Sequence, residues 1–485
     1  MKQFSTKVVI LTVSAIILAS SISCVSTKQP EVKPSETPAT VPSAAPTTEP
    51  TQKPEQKGFS KNDFVLQLQK ALETGTPDDA LKLYDTLPAE YSEDSDLLFL
   101  KAAILVSANR LDEAKAICDK LRAKDPNNTD ALELLTVIAK AQGNTAERKT
   151  QISALLAKDP NNVQANVELA DDSLRQRNYK GAQNYYAKAL VREPKNEQAL
   201  VGYGQTCYFM KDDDTAVATF KKVIEENPNN AQAYYYLGKL AYVDSRYAVA
   251  ADYVKKAIAL DDSNYDYYLD YGMYQRFDGE FDEAEKAWTK AISLEPDYFL
   301  AYVYRAGLYD EQNQFKQAIA DYVQIVKLNP DYYYAYESIG VLSFHDKNWT
   351  GARKAFMKCA EVNKTNISYP LMVTYCYYME GDKLNAKKYS DSVLRTLDRD
   401  SVEYVMLRAF HDETDKLPLL QRISAMTNSN QRGKMYFYLG LLYDMFGGKE
   451  LATQYYTKVV EMQSPMFFEY RIAEWNTGKG IDEAN

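Results

Sequence analysis

The stretch that decides the fold runs from Asn229 to Asp262 and reads NNAQAYYYLGKLAYVDSRYAVAADYVKKAIALDD. Its length of 34 residues is a ruler for most of the chain, because the same pattern returns at each step upstream and downstream. Self-similarity at one fixed period is typical of repeat proteins, in which each copy packs on its neighbours. The sequence of 485 residues therefore predicts one elongated array rather than three ordinary domains. Proline closes six of the steps, at Pro126, Pro160, Pro194, Pro228, Pro296 and Pro330.

Each copy contains two apolar segments with helical spacing, and each segment carries a small residue at a fixed place. Small residues let two helix backbones approach closely, while bulky residues on either side fill the grooves. The first small position recurs as Ala170, Gly204, Gly238, Gly272, Ala306 and Gly340. The second recurs as Ala114, Ala182, Ala216, Ala250, Ala284, Ala318, Ala352 and Ala386. A bulky aromatic residue follows four positions later, as Tyr186, Phe220, Trp288, Tyr322 and Phe356.

These positions and the closing proline resemble the tetratricopeptide repeat, a family of helix-turn-helix units. The resemblance implies an all-α solenoid that winds into a right-handed superhelix over residues 60–466. A single closing helix is expected from Met466 to Trp475, so that residues 467–485 form a cap and a tail. About twelve units are expected, starting near residues 61, 95, 129, 163, 197, 231, 265, 299, 333, 367, 401 and 433.

Two units depart from the pattern. In the unit from Thr129, Arg148 takes the place of the small residue. The unit from Ser401 to Arg432 is short, lacks both small positions and carries Pro418 where its second helix should begin. Proline is tolerated at a helix start, so Pro418 does not exclude a second helix in this unit.

The first 23 residues read as a targeting segment: Lys2 and Lys7 precede the apolar run Val8–Ala19, which is too short to span a bilayer. Small residues directly before Cys24 resemble the lipobox of bacterial lipoproteins. The resemblance implies that residues 1–23 are removed and that Cys24 becomes the lipidated first residue, carrying palmitate-type acyl chains. A plain signal peptide cleaved elsewhere is the alternative.

Residues 24–59 form a proline-rich segment. Proline falls at every fourth position from 30 to 54, which excludes a regular helix and leaves no core. In polyproline II geometry, at roughly 3.1 Å per residue, this spacer reaches on the order of 100 Å. It is expected to hold the array away from a membrane.

Charge and cysteine content exclude some classes of function. The net charge is −10, without a long basic run, which argues against nucleic-acid binding. Apart from Cys24, the cysteines show no CxxC spacing and are expected to be small buried hydrophobic residues. Cys359 and Cys376 fall on adjoining helices, so one disulfide between them is left open.

A second stripe on the first helices is offset from the packing face, and by resemblance to the family it lines the inner groove of the array. Exposed Tyr, Met and Phe beside Arg and Lys is the composition of a protein-recognition surface. Burial by neighbouring helices is the alternative. The Lys and Asn clamp that some family members use for a terminal carboxylate is absent. We call this set the first-helix stripe: Tyr235, Lys239, Tyr242, Leu269, Met273, Arg276, Leu300, Val303, Tyr334, Val341 and Phe344.

Catalysis finds no support in the sequence. The two histidines, His345 and His411, lie in different units without a nucleophile constellation. The acidic run Asp212–Asp214 lacks the glycine and distal glutamate of an EF-hand loop. We therefore expect no enzyme, no metal and no cofactor.

The anchor, spacer and array together predict a lipid-anchored scaffold of a bacterial cell envelope that binds protein or peptide partners. Glycan binding in polysaccharide export or envelope assembly is the alternative, because tyrosine rings stack on sugars. The residue after Cys24 is Val25 rather than Asp, which favours the outer membrane over the inner membrane.

Overall fold

A computed structural model describes residues 59–412, 417–462 and 465–478. Across these three ranges the secondary structure is helical and contains no β-strand. Cys24, the predicted signal peptide and the proline-rich spacer lie outside the described residues. Their roles stay predictions.

The described residues form 25 α-helices, which alternate between a first and a second helix of twelve successive pairs and end in one further helix. Consecutive helices pack on each other throughout each compact unit, as expected for a solenoid of tetratricopeptide-like hairpins. The first helices are α1 Lys61–Thr74, α3 Ser95–Ser107, α5 Thr129–Ala141, α7 Val163–Arg175, α9 Glu197–Phe209, α11 Ala231–Val243, α13 Tyr265–Asp278, α15 Leu300–Glu311, α17 Tyr333–His345, α19 Ser368–Met379, α21 Val402–Asp412 and α23 Ser429–Met445. The second helices are α2 Pro77–Lys82, α4 Leu111–Lys124, α6 Thr145–Lys158, α8 Tyr179–Arg192, α10 Asp213–Glu226, α12 Tyr247–Leu260, α14 Phe281–Leu294, α16 Phe315–Leu328, α18 Trp349–Val362, α20 Lys383–Leu394, α22 Leu417–Ser424 and α24 Lys449–Val460, and the closing helix is α25 Glu469–Thr477.

The described residues divide into two compact units, with the boundary between Asn227 and Pro228. The first unit contains α1–α10 and the second contains α11–α25. The 34-residue ruler continues through Pro228, so the repeat pattern alone gives no sign of this boundary. The candidate site lies within the second unit.

Asparagine caps explain where several of the first helices begin. The side-chain oxygen of Asn128 accepts a hydrogen bond of 2.8 Å from the backbone N–H of Ala131. Such a cap satisfies one of the N–H groups that have no partner in the first turn of a helix. The same residue returns on the 34-residue ruler as Asn128, Asn162, Asn196, Asn230 and Asn264, each capping its helix.

In ten of the hairpins the turn depends on one residue with a left-handed backbone. After this residue the chain returns to the first helix, as when Asn178 N–H donates to the carbonyl of Ser173 over 2.8 Å. Glycine adopts this conformation at no steric cost, whereas the other residue types here are held in it by the hairpin. The set is Asn109, Gly143, Arg177, Lys211, Ser245, Gly279, Asn313, Lys347, Gly381 and Gly447.

The small residues mark where the two helices of a hairpin cross. A Cβ atom built on Gly272 would lie 2.5 Å from Nε1 of Trp288 on the paired helix. The Trp288 ring is fully buried, and its Nε1–H donates to the Leu269 carbonyl over 3.1 Å. The second small residue, Ala284, is also fully buried. Small side chains at both places therefore make room for one aromatic ring.

The departing units are helical pairs with local adjustments. Arg148, in place of a small residue, pairs with Glu168 at 3.0 Å and with Asp172 at 2.5 Å. The second helix of the first pair, α2, has six residues and is followed by two 3₁₀ turns. The eleventh pair ends in α22, of eight residues.

Cys118, Cys207, Cys359 and Cys376 are buried free thiols, as expected for small hydrophobic core residues. Burial raises the pKa of both Cys118 and Cys359 to about 12. Cys359 and Cys376 form no disulfide in this structure. Within the described part of the chain, every helix is too short or too polar to cross a lipid bilayer.

Candidate functional site

The first-helix stripe lies on α11, α13, α15 and α17, all within the second unit. Tyr334 is its most exposed member, with 58% of its surface accessible. Leu269, Val341 and Phe344 are buried. The remaining seven residues, which are Tyr235, Lys239, Tyr242, Met273, Arg276, Leu300 and Val303, are half-buried.

An acidic residue that the sequence reasoning missed organises the first part of the stripe. The Tyr235 hydroxyl donates to the carboxylate of Asp270 over 2.8 Å, and Lys239 Nζ lies 2.9 Å from the same oxygen. Lys239 also lies over the Tyr235 ring, 5.0 Å from its centre. Burial and the neighbouring Asp270 carboxylate raise the pKa of Tyr235, so its hydroxyl stays protonated and remains a donor. The cluster joins α11 to α13.

A group of aromatic rings lies next to this cluster. The Tyr242 ring stacks on Tyr274, with 4.8 Å between the ring centres, and lies 5.7 Å from Phe277. Phe277 in turn stacks on Tyr247 at 5.2 Å and keeps about half of its surface exposed. Aromatic rings in offset or stacked pairs stabilise the contact between neighbouring repeats. They also leave ring edges accessible to a ligand.

Charged pairs continue along the stripe. The Arg276 guanidinium donates to Glu311 of the next first helix, with 3.2 Å between Nε and Oε2. Both side chains are partly accessible, so this pair contributes little stability by itself. An arginine and a carboxylate at the surface can instead bind oppositely charged groups of a partner.

The structure buries three residues that the sequence placed on a recognition surface. Phe344 packs against Trp349 and Tyr375, with ring centres 5.2 and 5.6 Å apart. Val341 and Leu269 are in the hydrophobic clusters between neighbouring helices. Packing between repeats accounts for these three positions, and the accessible part of the stripe consists of the other eight.

A second group of residues, on α15, α16 and α17, makes contacts that the sequence did not predict. Asp310, Phe315 and His345 contact the closing helix α25, which the sequence assigned only to covering the last pair. Asp270 lies 31 residues after its partner Lys239, which is close to one repeat, so the two residues fall on neighbouring first helices. Asp310 lies 161 residues before its partner Arg471 in α25, so the repeat period does not connect these two residues.

Comparison with protein-family models identifies tetratricopeptide repeats in four parts of the chain. One model matches residues 71–138 and 173–242, a second matches 306–360, and a third matches 265–298. The matches fall on hairpins described above. A comparison with curated proteins gives no significant match.

Solved structures with similar repeats cover part of the chain. A crystal structure of MamA is 26% identical and covers 33% of this chain and 95% of its own, with a TM-score of 0.32. YrrB, described as a TPR protein with an unusual peptide-binding site, is 18% identical and covers 41% of this chain and 97% of its own, with a TM-score of 0.33. The C-terminal part of a TPR protein from Cytophaga hutchinsonii is 16% identical and covers 55% and 96%, with a TM-score of 0.34.

Proposed function

Since this chain is built from tetratricopeptide repeats, we propose that it is a membrane-tethered scaffold that binds protein partners through the accessible part of the first-helix stripe. Repeats of this family generally form non-catalytic scaffolds, which supports binding rather than catalysis. The stripe offers a partner a short line of anchors on consecutive first helices.

The proposal rests on the kinds of side chain in the accessible part of the first-helix stripe. Tyr242, Met273 and Tyr334 supply apolar surface, and Lys239 and Arg276 supply cations. Such a mixture of aromatic, Met and Arg side chains is enriched in the binding surfaces of proteins. Contacts with Asp270 and with the Tyr235 ring hold Lys239 in position before a partner arrives, which lowers the entropic cost of binding.

The tether is the second part of the proposal. Cys24 would carry the lipid, and residues 25–59 would hold the repeats away from the membrane surface. The lipobox-like sequence and the regular prolines support this arrangement. We place the protein in a bacterial cell envelope, with the outer membrane favoured by Val25.

Binding is tested by affinity capture from solubilised membranes. A double variant, Tyr334→Ala with Arg276→Ala, removes two accessible anchors without touching a buried side chain. The matched control, Leu384→Ala with Arg395→Ala, removes one apolar side chain and one arginine from exposed positions in α20 and at its C-cap. Loss of two anchors should weaken capture at least about tenfold, since an interface anchor contributes on the order of 1–2 kcal/mol.

Two results would count against this proposal. If the stripe variant and the control variant capture the same proteins equally well, the stripe is not the binding surface. If soluble envelope glycans bind with an affinity that the stripe variant loses, the glycan-binding alternative replaces protein binding.

The tether is tested separately with Cys24→Ser. The parent chain should enter the detergent phase on phase partition, and its N-terminal peptide should carry acyl chains by mass spectrometry. The variant should remain in the aqueous phase. An unmodified N-terminal peptide from the parent chain would show that Cys24 is not lipidated. This result would not affect the proposal that the first-helix stripe binds a partner.

A further inference from the structure

The closing helix α25 makes two different sets of contacts. It packs on α23 and α24, as a cap over the last pair must. It also contacts α15, α16 and α17, earlier in the second unit, and Phe468, which directly precedes it, contacts α18 and α19. Capping does not require this second set. We call the surface that holds it the α25 seat, defined by Asp310, Phe315, His345, Phe356 and Tyr369.

Arg471 is the polar anchor of α25 in the seat. Its guanidinium donates two hydrogen bonds to the Asp310 carboxylate, of 2.7 and 3.0 Å. Such a two-pronged pair fixes direction as well as position. The same guanidinium lies over the rings of Phe315 and Trp475, at 5.5 and 4.7 Å from their centres. The seat thus surrounds one arginine with a carboxylate and aromatic rings.

Two aromatic anchors flank this arginine. The Trp475 ring packs against His345 at 4.5 Å and against Phe315 at 5.6 Å. At the other end, Phe468 stacks on Phe356 and Tyr369, with ring centres 5.5 and 6.0 Å apart. Stacked rings contribute beyond their buried area.

The spacing of the anchors is that of a helix bound in a groove. Phe468, Arg471, Ile472 and Trp475 fall at positions i, i+3, i+4 and i+7, and Ile472 is fully buried. Proteins that bind amphipathic helices recognise anchors with this spacing. The α25 seat therefore has the geometry of a helix-binding site that the chain itself fills.

Two features make this self-contact displaceable. Helix α25 has nine residues, and isolated helices of this length are marginal in water, so it depends on its seat. Glu469 is fully buried, and its Oε1 accepts from the Tyr438 hydroxyl over 2.8 Å. Burying a carboxyl group costs free energy that such a hydrogen bond offsets only in part, which weakens the seated state.

We propose that the α25 seat is a docking site for an amphipathic helix of a partner protein, and that α25 is an intramolecular competitor that must be displaced. The partner helix carries an aromatic residue, an arginine, an aliphatic residue and a second aromatic residue at the spacing of α25. This inference goes beyond the proposed function, because the seat residues are not members of the first-helix stripe and require no membrane tether.

The test uses the full chain and a fluorescein-labelled peptide of residues 467–478, FFEYRIAEWNTG. Binding is followed by fluorescence anisotropy. In the parent chain, α25 competes at an effective concentration on the order of millimolar, so the peptide should bind weakly. In Arg471→Glu, the chain's own helix meets Asp310 with a like charge and leaves the seat. The peptide should then bind at least about tenfold more tightly than to the parent chain.

Charge exchange supplies the specific control. In Asp310→Arg, the seat should reject the parent peptide and accept a peptide with glutamate in place of Arg471. A second control, Arg399→Glu, makes the same charge change as Arg471→Glu at an exposed residue outside the seat and should bind as the parent does. Unchanged hydrogen exchange in α11–α14 would show that each variant is folded.

The proposal is overturned if peptide affinity is the same for the parent chain and a folded Arg471→Glu variant. It is also overturned if peptide affinity does not depend on the charge at position 310. A parent dimer that dissociates in Arg471→Glu would also overturn it, because α25 would then be exchanged between two copies. This outcome differs from failure of the proposed function, since no envelope partner enters the assay.

Discussion

Two glycines in neighbouring first helices, each replaced by alanine in a separate variant, allow the steric cost of a helix crossing to be measured. The change in helix propensity is the same in both variants, so their difference in stability reports the steric cost. Gly272 faces Trp288, and an added Cβ would lie 2.5 Å from Nε1 and 2.8 Å from Cδ1 of that ring. Gly307 lies in α15, and an added Cβ there meets nothing within 4 Å. Both changes replace glycine by alanine inside a helix. Only one of them overpacks the core.

The expected magnitudes follow from these contacts. Alanine in a helix interior is favoured over glycine by about 1 kcal/mol, so Gly307→Ala should stabilise the protein by up to that amount. Gly272→Ala gains the same stabilisation from helix propensity, but it displaces the buried Trp288 ring, at a cost of about 1–3 kcal/mol. The difference between the two variants should therefore be about 2 kcal/mol, which is the steric term alone.

Urea unfolding followed by circular dichroism measures the stability of each variant, and hydrogen exchange locates the change. For Gly272→Ala we expect faster exchange in α13 and α14, with weaker effects further away, because each repeat contacts only its neighbours. The reasoning is refuted if Gly272→Ala stabilises the protein as much as Gly307→Ala does.

Three further predictions follow from buried groups. Burial raises the pKa of Glu469, so the stability that its protonated form gives to seated α25 is lost as pH rises through that raised pKa. Glu469→Gln should therefore flatten the dependence of α25 hydrogen exchange on pH above the usual titration range of a glutamate carboxyl, beyond the intrinsic rate change. Tyr438 and Lys434 are the titratable groups that face Glu469. Ala284→Leu should destabilise the same crossing as Gly272→Ala, by about 1–3 kcal/mol, and a thermal melt equal to the parent's would argue against the crossing. The Cys118 thiol should react with a thiol reagent only after unfolding, because its pKa is raised to about 12, and rapid reaction of the folded chain would contradict its burial.

Much of the fold could be predicted from the sequence because the signals repeat. Gly272, Ala284 and Trp288 occur at fixed places in a 34-residue unit, and each place has one physical reason, the close crossing of two helices. One copy is a weak signal, whereas many copies in phase leave few alternatives. The asparagine caps and left-handed turns follow the same ruler.

The site was less predictable because it depends on how neighbouring helices meet. Helical spacing places Tyr334 and Phe344 on the same stripe, yet one is exposed and the other is buried against Trp349 and Tyr375. The spacing within one helix does not contain this information. The pairing of Arg471 with Asp310 was hidden for another reason, since residues 161 positions apart share no period.

The central claim is that the accessible face of the first helices binds a protein partner. Site-specific photo-crosslinking in native membranes tests it most directly, with the photoreactive amino acid at position 334 in one variant and at position 384, on a second helix, in the other. Discrete protein adducts at position 334 and none at position 384 are the predicted result. Adducts that are identical at both positions, or absent from position 334, would contradict the claim.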